Sequence, residues 1–546
     1  MIVKMQHLDL VCLAAEKEAT LARLRELGAV HLDLASAQGA AVAAAKGEAA
    51  DAERAVRLIL KARGKSSVNI HEHSVADVLA IDEDRETLKG AKDELERLIR
   101  AYEPYGDFDP ALAAKLRESV AGLDDVVPLP ETLPEMRLSK MREKLERVEN
   151  RMRIDEAKLA GCDENAILKN YPALADKIAF ESAKELVGEQ GELAYVSGWI
   201  PEPVRGTFAA VAHEKGWGTL ICEPADGETP PTLVEPPKLF RPMKALFQGL
   251  GIAPAYTEAD VSVPFMCYFS LFFAMLVGDG AYGAIFLAGT LAMKKKLPKS
   301  WFTLLTVFSL ATIAWGVLSN TWFGAGIPWC ADWPTVKWLG DVTYKNIMLV
   351  CFTIGASHLM LARIWNGVCR LPDSTAIAEF GWAGILLFMY FVTNSLVGIF
   401  PSIPPFMTWV FGVSLACVFL FSVKPKDLKT NGISLGMLPL NIMSSLGDII
   451  SYVRLFAVGL ASVKVAENFN SMALGLLSGD KPLWFNALMF VGTVLILVAG
   501  HALNLAMAAL SILVHAVRLN TLEFSNHKGV SWSGYAFNPF RRAGDA

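Results

Sequence analysis

The sequence lacks the short patterns that mark most enzyme sites. It contains no GxxxxGK[ST] phosphate loop, no HExxH zinc motif and no glycine-rich dinucleotide turn after a strand. Its eight cysteines are scattered without CxxC spacing, which argues against a metal cluster or a disulfide framework. No basic tract suits nucleic acid, and the net charge is only -5. We therefore expect no cofactor, no metal and no nucleic-acid partner, and any link to nucleotide energy must come from another subunit.

Composition predicts two unlike parts. The chain has 53% apolar residues and a positive mean hydropathy, too high for an ordinary soluble protein of 546 residues. Residues 1–240 are rich in charge and alanine, 241–261 read as a linker, and 262–546 contain successive apolar runs of membrane length. The start of the chain shows no cleavable signal, so we expect the first part to stay in the cytoplasm.

The first part is predicted to contain two small α/β units, at about residues 1–35 and 192–224, with helical arms between them. The expected strands are 2–14, 29–34, 194–200 and 217–222, and the expected helices are 16–27 and 202–215. One arm carries an a/d seam of a coiled coil at Leu138, Met141, Leu145, Val148 and Met152. Segments 41–62 and 85–101 are expected to return against it. A coiled-coil rod with a globular unit at each end is favoured over an ordinary helical bundle.

The second part is predicted to be a polytopic helical membrane domain. Its apolar runs cover 262–293, 301–323, 346–369, 376–400, 405–423, 436–476 and 484–522. The first run is split at Gly278-Asp279-Gly280, because this sequence is typical of a turn. Eight helices place the basic clusters at 294–296, 370, 424–429 and 541–542 in the cytoplasm, together with both termini. The last two runs have about 40 residues each, so the helices must tilt, bend or project.

Charged residues within these runs need an explanation, because each is expensive in a bilayer. They are Asp279, Arg363, Glu379, Asp448, Arg454, Lys464, Glu467 and Arg518. We expect Arg363, Glu379, Lys464 and Glu467 to lie near a membrane surface or to be paired. Arg454 differs because its helical face consists of small or smooth residues, which suits close approach of a partner carrying a carboxylate. That face is Gly447, Ser451, Ala457, Val458, Ala461 and Val465.

The last long helix carries a predicted polar track. Its members fall within an arc of about 100°, taking 100° per residue, and they are His501, Asn504, Ser511, His515 and Arg518. Two interpretations remain open. The track either forms hydrogen bonds between packed helices or lines a hydrated ion path in which histidine exchanges protons.

These residues lie in motifs that resemble the membrane stator subunit of V/A-type rotary ATPases, named subunit I in bacteria and subunit a in eukaryotes. The motifs are Gly198-Trp-Ile-Pro; Phe272-Phe-Ala-Met-Leu-Val-Gly-Asp279-Gly-Ala-Tyr-Gly283; Asp448-Ile-Ile-Ser-Tyr-Val-Arg454-Leu; Gly500-His-Ala-Leu-Asn504; and Val514-His-Ala-Val-Arg518-Leu with Leu522-Glu-Phe524. The resemblance covers essentially the whole chain.

The resemblance implies a stator that couples H⁺ or Na⁺ movement to ATP hydrolysis or synthesis without catalysing ATP chemistry itself. Implied partners are a proteolipid rotor ring, peripheral-stalk subunits, a central-stalk subunit, the catalytic head indirectly, and lipids of a bacterial or archaeal cytoplasmic membrane. Arg454 and Arg518 face the ring carboxylates, with His515, Ser511, Asn504 and His501 along the ion path. Asp448, Glu467, Asp279 and Glu523 are possible supporting residues. Some relatives carry glutamate where this chain has Ala508, which leaves the cytoplasmic half-channel open.

Two other classes of function compete with this interpretation. A secondary transporter predicts internal repeats and broken helices near mid-membrane, and the sequence shows no convincing repeat. A purely structural scaffold has no need of central arginines or of a polar track.

Overall fold

The structure is a computed structural model that describes residues 1–63, 73–119, 130, 132–225, 227–341, 343–422, 436–477 and 483–542. Contacts divide the chain into two compact units. One, here called the sheet unit, comprises Met5–Pro224 with Asn538–Ala546. The other, here called the helical unit, comprises Met1–Lys4 with Ala225–Phe537.

The sheet unit is built on four antiparallel strands in the order β2-β3-β1-β4. Alternate residues of β1 point into the core, which two helices, α1 and α7, complete. This is the pattern of a sheet with one packed face. The elements are β1 (Met5–Leu13), α1 (Lys17–Leu27), β2 (Gly188–Gln190), β3 (Leu193–Pro201), α7 (Arg205–Glu214) and β4 (Gly218–Cys222).

The two predicted α/β units are therefore not separate globular ends. β1 lies between β3 and β4, so strands from both predicted units share one sheet. The strand expected at residues 29–34 is also wrong. In that segment His31 alone pairs with Trp199, and a 3-10 turn follows at Leu34–Ser36. Pairing stops because the turn redirects the backbone after one bridge.

The arms of the sheet unit are helices that pack on one another. Helix α2 packs on α6, and α5 contacts both α2 and α3. Small and branched side chains, including Ala52, Ala55 and Ile59, fill the interior between them. In the seam, Leu138 and Met141 are buried and the other three residues are half-buried. The helices are α2 (Ala40–Arg63), α3 (Val75–Tyr102), α4 (Pro110–Ser119), α5 (Leu138–Ala160) and α6 (Glu164–Leu186).

The helical unit contains, among its described residues, five helices long and apolar enough to cross a membrane, plus one bent pair. A shorter apolar helix, α15, adds to these. The helices are α8 (Met243–Leu250), α9 (Ser262–Val277), α10 (Gly280–Ala292), α11 (Lys299–Ser319), α12 (Pro334–Leu339), α13 (Lys345–Arg370), α14 (Thr375–Leu396), α15 (Pro405–Phe421), α16 (Leu438–Ile450), α17 (Val453–Leu477), α18 (Leu483–Ser511) and α19 (Ser525–Lys528). The predicted basic loop at 424–429 lies outside the described residues.

The bent pair confirms the predicted break in the first apolar run. Helix α9 ends at Val277 and is followed by Gly278, which adopts a φ of +69°, and α10 begins at Gly280 with a bend of 118°. Asp279 caps α10, since its carboxylate accepts the Ala281 N–H at 2.8 Å. A glycine and a capping aspartate are the residues such a turn requires.

The two long final helices are also confirmed. Leu438–Leu476 has 39 residues and Met489–Lys528 has 40. The first, α16 with α17, is joined through a turn at residues 451–452, and the second runs through α18 into two π-helical segments, Ile512–Ala516 and Leu519–Phe524. Both pack into one large core with α9, α13 and α14. This packing places the two predicted arginines at neighbouring helices.

Candidate functional site

Arg454 is paired with Glu523, a carboxylate of the last long helix. The Arg454 Nη2 atom lies 2.6 Å from Glu523 Oε1, and Arg454 Nε donates to the Ser451 carbonyl at 3.0 Å. The Glu523 side chain is 6% exposed, whereas that of Arg454 is 23% exposed. A carboxylate so deeply buried requires a charged partner, and Arg454 provides it.

Arg518 approaches the same carboxylate from within its own helix. Its Nε lies 3.6 Å from Glu523 Oε1, and its side chain is 56% exposed. Residues five apart lie about 140° from each other on an α-helix at 100° per residue. A π-helix, with i to i+5 hydrogen bonds, brings such residues onto one face, and Glu523 lies in the second π segment. The two predicted arginines therefore meet at Glu523.

The small-residue face around Arg454 is open. Gly447, Ala457 and Ala461 are exposed, and a Cβ atom built at Gly447 meets nothing within 4 Å. The face thus leaves the half-buried guanidinium accessible from one side, where another helix can approach closely.

The polar track does not form one continuous row. His501 and Asn504 both bond to the Tyr282 hydroxyl, at 2.7 Å and 3.1 Å. Asn504 is 1% exposed and its amide also donates to the Ser462 carbonyl at 2.9 Å, while the other ring nitrogen of His501 contacts Asn470. This outer cluster, defined as Tyr282, Ser462, Asn470, His501 and Asn504, links α10, α17 and α18.

Ser511 and His515, the remaining residues of the polar track, lie between Asn504 and Arg518 along the last long helix. Both are half-buried. The Nδ1 atom of His515 is buried and makes no hydrogen bond to a described residue. A buried ring nitrogen without a partner is a place where water can bind or a proton can be exchanged.

Two of the supporting candidates lie elsewhere. Both carboxylate oxygens of Asp279 accept backbone N–H groups, from Ala281 and Gly324, each at 2.8 Å. This role is structural. Glu467 pairs with Lys464 at 2.7 Å, as expected for these two residues, and both line a cavity of about 230 Å³. Gly459 and Tyr344 also line this cavity.

Asp448 bonds to a residue that the sequence did not single out. Its Oδ2 lies 3.0 Å from His527 Nε2. His527 Nδ1 accepts from Arg363 Nε at 3.1 Å, and Arg363 pairs with Glu379 at 3.2 Å. Arg363 and Glu379, each expected to lie near a membrane surface or to be paired, are thus paired with each other. Asp448, His527, Arg363 and Glu379 are here called the inner network.

Several functional candidates were missed from the sequence. Tyr282 lies in the quoted motif between Gly278 and Gly283, but the spacing of residues around it does not indicate what its hydroxyl bonds to. Ser462 and Asn470 are ordinary polar residues on a long helix, where local bonding is the common outcome. His527 follows the last apolar run, so only its distance from Asp448 in space reveals it.

The chain is similar over nearly its whole length to known ATP synthase subunits. It is 28% identical to the V-type ATP synthase subunit I 1 of Treponema pallidum, with 99% of this chain and 100% of the relative covered. It is 30% identical to the V-type ATP synthase subunit I of Borreliella burgdorferi over 69% of this chain. The chain belongs to the V/A-type ATP synthase subunit I family. With five apolar helices of spanning length among its described residues, this subunit I is a membrane protein.

More distant subunit I proteins match in part. The A-type ATP synthase subunit I of Methanocaldococcus jannaschii is 23% identical over 75% of this chain. The matched regions span 64% of the length of this relative and 64% of the Borreliella relative. No family model matches the chain.

Proposed function

We propose that this subunit I is the stator of a V/A-type rotary ATPase, and that Arg454 meets each carboxylate of a rotating proteolipid ring. The observation that carries the proposal is a half-buried arginine on an open face of small residues, paired with a carboxylate of its own chain. An ionised ring carboxylate crossing an apolar seal is heavily penalised, and a permanent guanidinium offsets that penalty.

Glu523 is the internal counter-ion in this mechanism. When no ring carboxylate is opposite Arg454, Glu523 neutralises the guanidinium. An arriving ring carboxylate competes with Glu523 for the Arg454 guanidinium. As one carboxylate leaves Arg454 the other takes its place, so the guanidinium is always paired. The competition keeps the rotor contact transient, whereas an unopposed buried pair would hold the ring. Arg518, which is more exposed, shares the charge of Glu523.

Two half-channels supply the ring carboxylates with ions. The outer cluster, with Ser511 and His515, lines one of these paths. The cavity beside Lys464 and Glu467 is level with Ser462 and Asn470 of this cluster along helix α17, so we assign it to the same path. The transported ion is H⁺ or Na⁺. The hydroxyl, amide and imidazole groups of the cluster exchange hydrogen bonds with water more readily than an apolar wall does.

The remaining assignments follow the same model. Residues 1–240 form the cytoplasmic domain, with its coiled-coil rod, that binds peripheral and central stalks; 241–261 link it to the membrane domain at 262–546. Eight membrane helices, with the bent pair α9 and α10 counted as two, place both termini in the cytoplasm of a bacterium or archaeon. A short hairpin such as this pair is tolerated where protein surrounds it.

The decisive experiment replaces Arg454 in the assembled complex. Arg454→Ala should assemble with the ring and the catalytic subunits but abolish ATP-driven ion uptake into vesicles. Arg454→Lys should not restore normal rates, because a point charge lacks the planar fork. The matched control is Arg142→Ala, which removes an exposed pair with Glu103 in the sheet unit and should pump normally. Near-normal uptake by Arg454→Ala overturns the proposal.

The water path is tested by cysteine substitution. Cysteines at His501, Asn504, Ser511 and His515 should react with small aqueous thiol reagents. Leu510 and Leu513 are the controls, being 64% and 60% exposed at the outside of the helix. Reaction at the more enclosed polar positions but not at these leucines requires internal water. Equal inertness at all six positions makes the track a packing interface.

The topology is tested in a chain from which the eight native cysteines have been removed. Single cysteines are introduced at Lys295 and at Lys426; the second position lies outside the described residues. Both should react with impermeant reagent only from the cytoplasmic side. Labelling of both from outside restores a seven-helix count.

A secondary transporter is the alternative function. It requires a substrate site of its own and no rotor. Copurification with ATPase catalytic subunits and a proteolipid ring supports the stator, whereas a chain that transports alone supports the alternative.

A further inference from the structure

The inner network joins four helices through one histidine. Asp448 comes from α16, His527 from α19, Arg363 from α13 and Glu379 from α14. The His527 side chain is 4% exposed and both of its ring nitrogens are bonded, Nε2 to Asp448 at 3.0 Å and Nδ1 to Arg363 at 3.1 Å. None of these contacts includes the arginine pair at Glu523, so the network is a separate structure.

The donors in this network define the form of the histidine. Arginine Nε–H donates and cannot accept, so His527 Nδ1 must be the unprotonated acceptor. The Nε2 atom then carries the single ring proton and donates it to the Asp448 carboxylate. A second proton on the ring requires the Arg363 bond to break. The ring is therefore a neutral bridge with a fixed tautomer.

The surroundings hold this bridge in place. Glu379 accepts from Arg363 on one side and from Arg370, at 2.9 Å, on the other. The Arg363 guanidinium also lies over the Trp382 ring at 5.1 Å. The His527 carbonyl accepts from the Asn366 amide at 3.0 Å. The histidine is thus bound at three atoms, which leaves it little freedom to turn.

The bridge lies close in sequence to both members of the arginine pair. Asp448 precedes Arg454 by less than two helical turns, and His527 follows Glu523 by about one. We propose that His527 is a positioning residue: as a neutral bridge between Arg363 and Asp448, it sets the register of the two long helices and so the Arg454–Glu523 contact. The expected effect on ion transport rests on the proposed function, whereas the expected protonation state of the His527 imidazole does not.

The first test is spectroscopic. The chain has nine histidines, so ¹⁵N-histidine labelling of this subunit in the intact complex, compared with His527→Gln, isolates the His527 signals. The expected result is a neutral ring protonated at Nε2 at neutral pH. A ring protonated at Nδ1, or at both nitrogens, overturns the inference even if Arg454→Ala behaves as proposed.

The second test separates positioning from charge transfer at Asp448. Asp448→Asn keeps an oxygen that accepts from His527 Nε2, whereas Asp448→Leu has similar bulk and no acceptor. Uptake per assembled complex should fall about 10- to 100-fold in Asp448→Leu, as for other small displacements of reacting groups. Asp448→Asn should retain uptake at least about fivefold above the leucine variant, because the bridge survives.

The outcomes are distinct. If Asp448→Asn is as low as Asp448→Leu, the carboxylate charge itself is required and positioning is wrong. If Asp448→Leu pumps normally, the bridge has no effect on the arginine pair. If the leucine variant does not assemble, the tautomer of His527 decides. Normal pumping by Arg454→Ala contradicts the proposed function but leaves the tautomer measurement valid.

Discussion

Ion pairs of almost equal length have different consequences in the two units of this chain. In the sheet unit, Lys177 and Glu48 lie 2.7 Å apart, with half of each side chain exposed. In the helical unit, Arg454 and Glu523 lie 2.6 Å apart, and the glutamate is 6% exposed. Water screens the first pair and offsets its loss, whereas the enclosed glutamate of the second has little water to replace Arg454 and keeps only the more distant Arg518. Distance alone does not tell what a pair contributes.

The same contrast applies to neutral hydrogen bonds. The Tyr171 hydroxyl donates to Glu53 at an exposed position of the sheet unit. The hydroxyl of Tyr282, a residue that is 1% exposed, contacts both His501 and Asn504. Removing the first leaves groups that bulk water can satisfy, whereas removing the second leaves enclosed groups whose only replacement partner is a confined water, which costs more.

The largest effect is expected for the buried glutamate. Glu523→Ala leaves Arg454 without its carboxylate and should lower the free energy of unfolding by about 3–5 kcal/mol. Glu48→Ala should change it by no more than about 1 kcal/mol. Denaturant titration of the purified full chain in detergent, followed by circular dichroism, measures both. Equal losses contradict the comparison.

The tyrosine pair should give a smaller difference. Tyr282→Phe leaves His501 and Asn504 each short of one partner and should destabilise the chain by about 1–3 kcal/mol. Tyr171→Phe should produce no measurable change. The same titration applies, and restored stability on mutating Asn504 to leucine in the Tyr282→Phe background would show that the unsatisfied amide is the cause.

The smallest effect on stability is expected for His31. It is a buried titratable residue in the sheet unit, where the ion pair and the tyrosine contact compared above are exposed. Burial lowers the pKa of His31 below its usual 6.5, because the charged ring loses hydration. The neutral form is favoured in the folded state, so its contribution is complete above about pH 6.5 and declines as the pH falls toward the folded pKa. The slope is at most about 1.4 kcal/mol per pH unit.

Unfolding measured between neutral and mildly acidic pH checks this sign. His31→Gln should flatten the decline, whereas His213→Gln, at an exposed position, should leave it unchanged. A decline that persists fully in His31→Gln assigns it to other groups.

The features of the fold that were best predicted from the sequence are those determined by neighbouring residues. The break between α9 and α10 follows from a glycine that must adopt positive φ and an aspartate that caps the next helix. The lengths of the two final helices follow from long apolar runs that contain only a few charged residues. Each of these features depends only on residues adjacent in the chain.

Pairing between distant segments was less accessible. The sequence indicates strands near both ends of the first part, but not that β1 inserts between β3 and β4. Alternating burial specifies a packed face without specifying the neighbour. His31 likewise has apolar neighbours that suit a strand, yet it forms a single bridge.

The candidate site was predicted in its arginines but not in their shared partner. Glu523 was only a supporting candidate, and regular α-helical geometry would turn it away from Arg518. His527 carried no signal at all, since its role depends on Asp448 and Arg363, which are remote in sequence. Buried charges indicate that partners exist, but only packing identifies them.

The two π-helical segments contain more residues per turn than the rest of the last long helix. Each holds one more residue per hydrogen-bonded turn than an α-helix does. Converting the second segment to α geometry would shift everything beyond it by about one residue, a rotation of about 100° and a rise of about 1.5 Å. Glu523 would then turn away from Arg518. Such a change would also rotate His527 away from Asp448 and Arg363, so the bonds of the inner network oppose it.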